Sequence, residues 1–204
     1  MAHVLAIMAN PRRNSYTAWL MQTFLASYQR HHPADTVTEL DVYQVTIPVI
    51  DGDVLAAGDK VPTELTDQEK ARLAEVDRFT GQFMAADKIV VAAPMWNLQF
   101  PPMLSAYLAT VVVAGKTFQY TETGCQGLLH DRPALLLHVR GGVYSDDQGK
   151  QHDFAVPYLR DLFALMGITN FRTILCEGVE AFPDKTEDIV NQALREAEEL
   201  AVTF

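Results

Sequence analysis

The chain has 204 residues, 49% hydrophobic and 21% charged, with 16 basic against 26 acidic side chains and a net charge of −10. That length fits one domain able to bury about 70% of its unfolded surface without a disulfide framework. The acidic balance excludes nucleic acid as the main partner, for want of a basic field to release counterions. No apolar run approaches the roughly 18 residues of a membrane span, so no membrane partner is expected. Two cysteines, Cys125 and Cys176, can build neither a disulfide framework nor a four-ligand zinc site of their own. With no export signal at Met1–Ile7, the expectation is a cytoplasmic protein.

In chain order, His3–Met8 reads as a buried strand. Ser15–Arg30 reads as a helix, with Tyr16, Trp19, Leu20, Phe24, Leu25 and Tyr28 on one stripe. Thr36–Leu40 is a second strand, and 41–63 reads as irregular. Thr66 and Glu69 have capping-box spacing before a helix with Leu73, Val76, Phe79 and Phe83 on its apolar face. Lys88–Ala93 is a β-branched run suited to a parallel strand covered on both faces. Pro101 and Pro102 open a helix predicted through Val113. Pro133–Val139 is a fourth strand, Phe154–Met166 a helix tolerating Pro157 only in its first turn, Arg172–Cys176 a fifth strand, and Asp184–Ala201 a closing helix. This alternation predicts one α/β domain over 1–204, with a doubly wound, five-stranded parallel sheet in order 2-1-3-4-5.

In such a sheet, ligands sit beyond the carboxyl ends of the strands, where the winding reverses. Three loops lie there. The first, Ala9–Thr17, carries Asn10, Ser15, Tyr16 and Thr17 into a helix start, which suits a phosphate; equally, Asn14 or Ser15 caps the helix. Arg12 and Arg13 stand beside it. The second, Pro94–Phe100, offers Met95 and Trp96 as a wall for a flat ring, with Asn97 and Leu98 following, or else Trp96 anchors the core. In the third, Val139–Tyr144, Gly141 and Gly142 let backbone amides approach a ligand, or simply form a turn. The dinucleotide glycine fingerprint and the P-loop are both missing. Together, a phosphate cradle, a ring wall and a glycine-lined edge describe a flavin mononucleotide (FMN) site. The histidines lack partners at metal-ligand spacing, so no metal is expected. No nucleophile elbow is present.

The segments Ala93–Asn97, Ala114–Glu122, Gly124–Leu128, Arg140–Gly142, Pro157–Leu159 and Met166–Thr169 carry a resemblance that spans essentially the whole chain. The sequence resembles the FMN-dependent NADH-azoreductases, flavodoxin-like homodimers related to the NAD(P)H quinone reductases. The resemblance implies non-covalent FMN, with its phosphate on Asn10 and Ser15–Thr17 and its ring on Met95–Leu98 and Val139, Arg140, Gly141 and Gly142. It implies NADH or NADPH as donor, quinones or azo compounds as acceptors, and ping-pong hydride transfer needing no side-chain catalyst. It also implies an active site at the subunit interface; Phe100, Phe118, Tyr120 and Tyr144 form the aromatic pool that could line a substrate slot, part of which would come from the second subunit, and Phe163 reads as core. Many members have serine at the positions of Asn10 and Val139, tyrosine at Trp96 and phenylalanine at Leu98; Trp96 and Leu98 edge the open flavin face. The competing readings are a flavodoxin-like electron carrier and an FMN-binding redox regulator.

Overall fold

A computed structural model describes residues 1–204. Seven strands and six α-helices follow in the order β1 (His3–Met8), α1 (Tyr16–His31), β2 (Thr36–Asp41), α2 (Gly52–Gly58), α3 (Asp67–Ala85), β3 (Lys88–Pro94), α4 (Pro102–Val111), β4 (Phe118–Thr121), β5 (Gly124–Gly127), β6 (Ala134–Arg140), α5 (Val156–Leu165), β7 (Phe171–Glu177) and α6 (Thr186–Thr203). Five strands form a parallel sheet in order β2-β1-β3-β6-β7, which is the expected 2-1-3-4-5 winding.

The strands β1, β3 and β6 are nearly continuous apolar runs because helices cover both faces. Period-two alternation divides their side chains. Leu5, Ile7, Ile89, Val91 and Leu136 face Phe79 and Phe83 of α3, Leu104 and Tyr107 of α4, and Leu159 and Phe163 of α5. Val4, Ala6, Val90, Leu135 and Leu137 face Leu20, Phe24 and Tyr28 of α1 and Ala193 and Ala197 of α6. Phe163 is therefore a core residue, as expected. Cys176 is buried on β7, whereas Cys125 is exposed and lies on strand β5.

The sequence reading needs correcting in four places. The stretch 41–63 contains α2, nucleated by Asp51, whose carboxylate accepts the N–H groups of Asp53 and Val54 at 3.1 and 3.0 Å. Helix α4 ends at Val111, before the predicted Val113. The Thr117 hydroxyl donates to the Val111 carbonyl at 2.8 Å and accepts the Val113 N–H at 2.9 Å, drawing the chain out of the helix. Residues 118–127 form an antiparallel hairpin that the strand–helix alternation does not announce. Trp19, placed on the buried stripe of α1, is 42% exposed. The capping box is present: Thr66 and Glu69 satisfy each other's backbone N–H groups at the start of α3. No helix is long and apolar enough to cross a membrane.

Candidate active site

A cleft of about 690 Å³ opens at the carboxyl rim of β1, β3 and β6, within the usual size range of small-molecule sites. One end is the β1–α1 loop, contributing Asn10, Arg12, Asn14, Ser15, Tyr16 and Thr17. Asn10 braces this loop: its side-chain oxygen accepts the Arg12 N–H at 3.0 Å, and its amide donates to the Ser15 hydroxyl at 3.0 Å. Ser15 is the N-cap of α1. Its hydroxyl donates to the Arg12 carbonyl at 2.9 Å and accepts the Ala18 N–H at 3.2 Å, so its proton is committed within the protein. The backbone N–H groups of Ser15, Tyr16 and Thr17 meet no protein acceptor, and the Thr17 hydroxyl makes no hydrogen bond within the protein. The first turn of α1 contains no acidic residue, leaving the positive end of the helix dipole uncompensated. Unpaired donors, an uncompensated dipole and Arg12 together form a receptor for a phosphate.

The wall comes from the β3–α4 loop. Met95 is held by its N–H to the Val139 carbonyl at 2.8 Å. Trp96 and Gln99 exchange both backbone hydrogen bonds, at 2.7 and 2.9 Å, closing a two-residue turn. The turn residues Asn97 and Leu98 have φ of 50° and 67°, the only non-glycine residues with positive φ in the chain. A tight hairpin imposes this left-handed backbone, which is strained for Leu98 and characteristic of functional positions. Met95 and Trp96 line the cleft; Asn97 and Leu98 shape the turn from outside the lining.

The third side is the β6 loop. Val139 and Gly141 line the cleft. The carbonyls of Arg140, Gly141 and Gly142 are all taken by the chain after β7: Gly178 donates to Arg140 and Gly142, and Glu180 and Ala181 both donate to Gly141. The N–H groups of Gly141, Gly142 and Val143 have no acceptor in the protein. With its carbonyls turned away and its donors free, this segment can meet the oxygen- and nitrogen-rich edge of a flat heterocycle. Gly178, at φ +83°, makes the bend after β7 that brings residues 179–181 alongside.

Not every expected residue reaches the cleft. The Arg140 side chain is buried beneath the loop, paired with Asp153 and Glu177. The Gly142 Cα lies beneath the Tyr144 ring, so only its backbone is offered. Phe100 is buried against His138 with ring centroids 5.3 Å apart, and Phe118 is buried on the hairpin; both pack in the interior because their strands and turns point them inward. Tyr144 is half-buried outside the lining. Tyr120 is 75% exposed on the hairpin, packed edge-on to Phe118.

Sequence reading missed Trp19, Val179 and Glu180, all of which line the cleft. Glu180 is the one carboxylate of the lining, and its side chain lies against Gly141. The available signal was Gly178 directly after a strand: the end of a fourth strand also faces the crevice. His138, buried beneath the wall, donates its Nδ1–H to the Ala93 carbonyl at 2.7 Å, and burial pushes its pKa down to about 4, leaving the imidazole neutral. Burial likewise pushes the Cys176 thiol up to about 11, so it is inert.

Residues 2–201 match the family model described as a flavodoxin-like fold. FMN-dependent NADH:quinone oxidoreductases of Staphylococcus aureus and Staphylococcus haemolyticus are 40% identical over 210 aligned positions, covering 100% of both chains. Among solved structures, an azoreductase from Bacillus anthracis strain Sterne is 39% identical with a TM-score of 0.94, covering 100% of both chains. An FMN-dependent NADH-azoreductase from the same species, in complex with FMN, is 30% identical with a TM-score of 0.92, covering 98% of both chains. Matched from residue 2 to residue 201, with the 2-1-3-4-5 sheet order of flavodoxin-like folds, the chain belongs to the flavodoxin-like-fold family.

Proposed function

We infer that this chain is an FMN-dependent NADH oxidoreductase that reduces quinones and azo compounds. The observation that carries the reading is the set of unpaired backbone donors on two separate loops at one cleft: Ser15, Tyr16 and Thr17 on one side, and Gly141, followed by Gly142 and Val143 just outside the lining, on the other. Their placement on two loops of one cleft suits a cofactor with a phosphate tail and a polar-edged ring, and the apolar surface of Met95, Trp96 and Val139 in the same lining suits the ring's body. The relatives' printed names, FMN-dependent NADH:quinone oxidoreductase and FMN-dependent NADH-azoreductase, support the same cofactor, donor and acceptors.

Bound FMN would supply the two-electron chemistry that couples NADH oxidation to reduction of the acceptor. The protein's part is placement. The helix start and Thr17 would hold the phosphate, Met95 and Trp96 would flank the ring, and the glycine N–H groups would serve its polar edge as fixed dipoles that favour developing negative charge. No side chain in the lining is arranged as nucleophile and base.

The reading extends to a single domain over residues 1–204, a homodimer and a cytoplasmic location. Support for the dimer comes from Tyr120, Phe154 and Tyr158, which are exposed aromatics on or near the hairpin and the start of α5. Phe154 also adjoins the Trp96–Gln99 turn through the Gln99 amide to its carbonyl at 3.0 Å. A partner covering this surface would complete the substrate wall that Tyr120 cannot form within its own chain. Equilibrium sedimentation should give twice the 22.7 kDa chain mass. The catalytic test is absorbance: the purified protein, reconstituted with FMN, should show a bound-flavin spectrum, bleach with NADH and recover with a quinone or azo dye, with ping-pong kinetics. A flavin-loaded protein that NADH does not bleach would be a carrier; one that binds no flavin would refute the reading.

A further inference from the structure

Arg140 ends β6 immediately before Gly141, and its side chain has no exposed surface. A guanidinium buried this completely must be paired, because the cost of removing it from water exceeds any single contact. Two carboxylates meet it: Asp153 at 2.6 Å and Glu177 at 3.3 Å. Each carboxylate has a second task. Asp153 accepts the N–H groups of Ala155 and Val156, at 3.1 and 3.0 Å, starting α5. Glu177 accepts the Tyr144 N–H at 3.0 Å and the Ser145 hydroxyl. One cation thus ties the end of β6, the start of α5 and the end of β7 to the loop whose amides border the cleft. The Arg140 Nε has no acceptor, so the cluster is not fully satisfied, and a buried ion cluster is weak evidence for stability in any case. Its consequences lie in loop geometry and local field.

We propose that Arg140 is a positioning residue for the redox reaction: by clamping Glu177 and Asp153 it fixes the loop that brings Gly141 to the cleft, keeping the N–H groups of Gly141 to Val143 free, and its charge, set against two carboxylates, tunes how strongly the site favours reduced over oxidised cofactor. This rests on the FMN reading above. Reduction adds electron density to the ring, so positive charge behind Gly141 favours the reduced form and negative charge disfavours it.

The test compares Arg140→Met, Arg140→Lys and Glu177→Gln with wild type as FMN-loaded proteins, measuring the two-electron midpoint potential by dye-equilibrated titration and the FMN Kd by flavin fluorescence. Arg140→Met leaves two uncompensated carboxylates and should cut the affinity ratio of reduced to oxidised FMN about tenfold, a fall of about 30 mV. Glu177→Gln removes one negative charge while keeping an acceptor for Tyr144, and should move the potential in the opposite direction by a similar factor. Arg140→Lys keeps the charge and should recover most of the Arg140→Met shift. A purely structural role would weaken FMN binding in every variant and move the potentials alike or not at all, and that result overturns the proposal. Should Arg140→Met fail to fold, the sign of the Glu177→Gln shift decides: upward supports the proposal; downward or absent overturns it. Wild-type protein that binds no FMN would instead sink the functional reading itself.

Discussion

The two hydroxyls at the start of α1 make opposite predictions. Thr17→Val keeps the side-chain shape and removes a hydroxyl that makes no hydrogen bond in the protein and reaches the cleft from an otherwise buried residue. No internal bond is lost, so the flavin-free protein should be about as stable as wild type. If that hydroxyl donates to the FMN phosphate, its loss removes a charge-assisted bond of about 1.5–3 kcal/mol, weakening Kd roughly 10- to 150-fold. Ser15→Ala should do the reverse. The Ser15 hydroxyl binds Arg12, Ala18 and Asn10, so the variant loses an N-cap of about 1 kcal/mol, lowering Tm by roughly 2–4 °C for a chain of this size. Its effect on Kd should be the smaller of the two. Flavin-fluorescence titration and thermal unfolding of both flavin-free variants make the comparison. A Thr17→Val protein that binds FMN within twofold of wild type, or that unfolds as early as Ser15→Ala, would refute the assignment of tail anchor and cap.

Three further outcomes follow from the geometry. At the strained turn, Asn97→Gly should raise Tm slightly and Asn97→Val should cost about 1–2 kcal/mol, because a φ of 50° suits glycine and clashes with a β-branched residue; equal melts would mean the turn relaxes freely. His138 has a folded-state pKa of about 4, below its ordinary 6.5, so the unfolded chain takes up its proton first as pH falls. Its contribution is complete above about pH 6.5 and is lost as pH falls through about 4, a loss of about 3 kcal/mol; urea melts of wild type and His138→Leu should therefore diverge in pH slope between those values. Gel filtration of Tyr120→Glu should show a smaller species than wild type if the hairpin joins two chains, and an unchanged elution volume would place the dimer contact elsewhere.

The five-stranded winding was readable because each parallel strand, covered on both faces, must be an unbroken apolar run, as Lys88–Pro94 and Ala134–Arg140 are. The helix starts were legible where a cap is local, as at Thr66 and Ser15. The two ends of the cleft could also be placed, since strand order assigns the β1, β3 and β6 loops to one rim. Direction was not legible. Arg140 stands beside Gly141 in sequence, yet period-two alternation and two distant carboxylates, Asp153 and Glu177, turn its side chain inward. Trp19 sits on the hydrophobic stripe of α1, but α6 covers only part of that stripe and leaves the indole at the cleft's edge.

Local chemistry, then, determined which segments become strands, helix starts and turns, since periodicity, caps and turn residues act over a few positions. Tertiary structure decided which backbone donors stay free. The carbonyls of Arg140, Gly141 and Gly142 are consumed by Gly178, Glu180 and Ala181, nearly forty residues on, which leaves the N–H groups of Gly141 and Gly142 free beside the cleft. Such pairing depends on which loops meet in space, and spacing along the chain does not encode it.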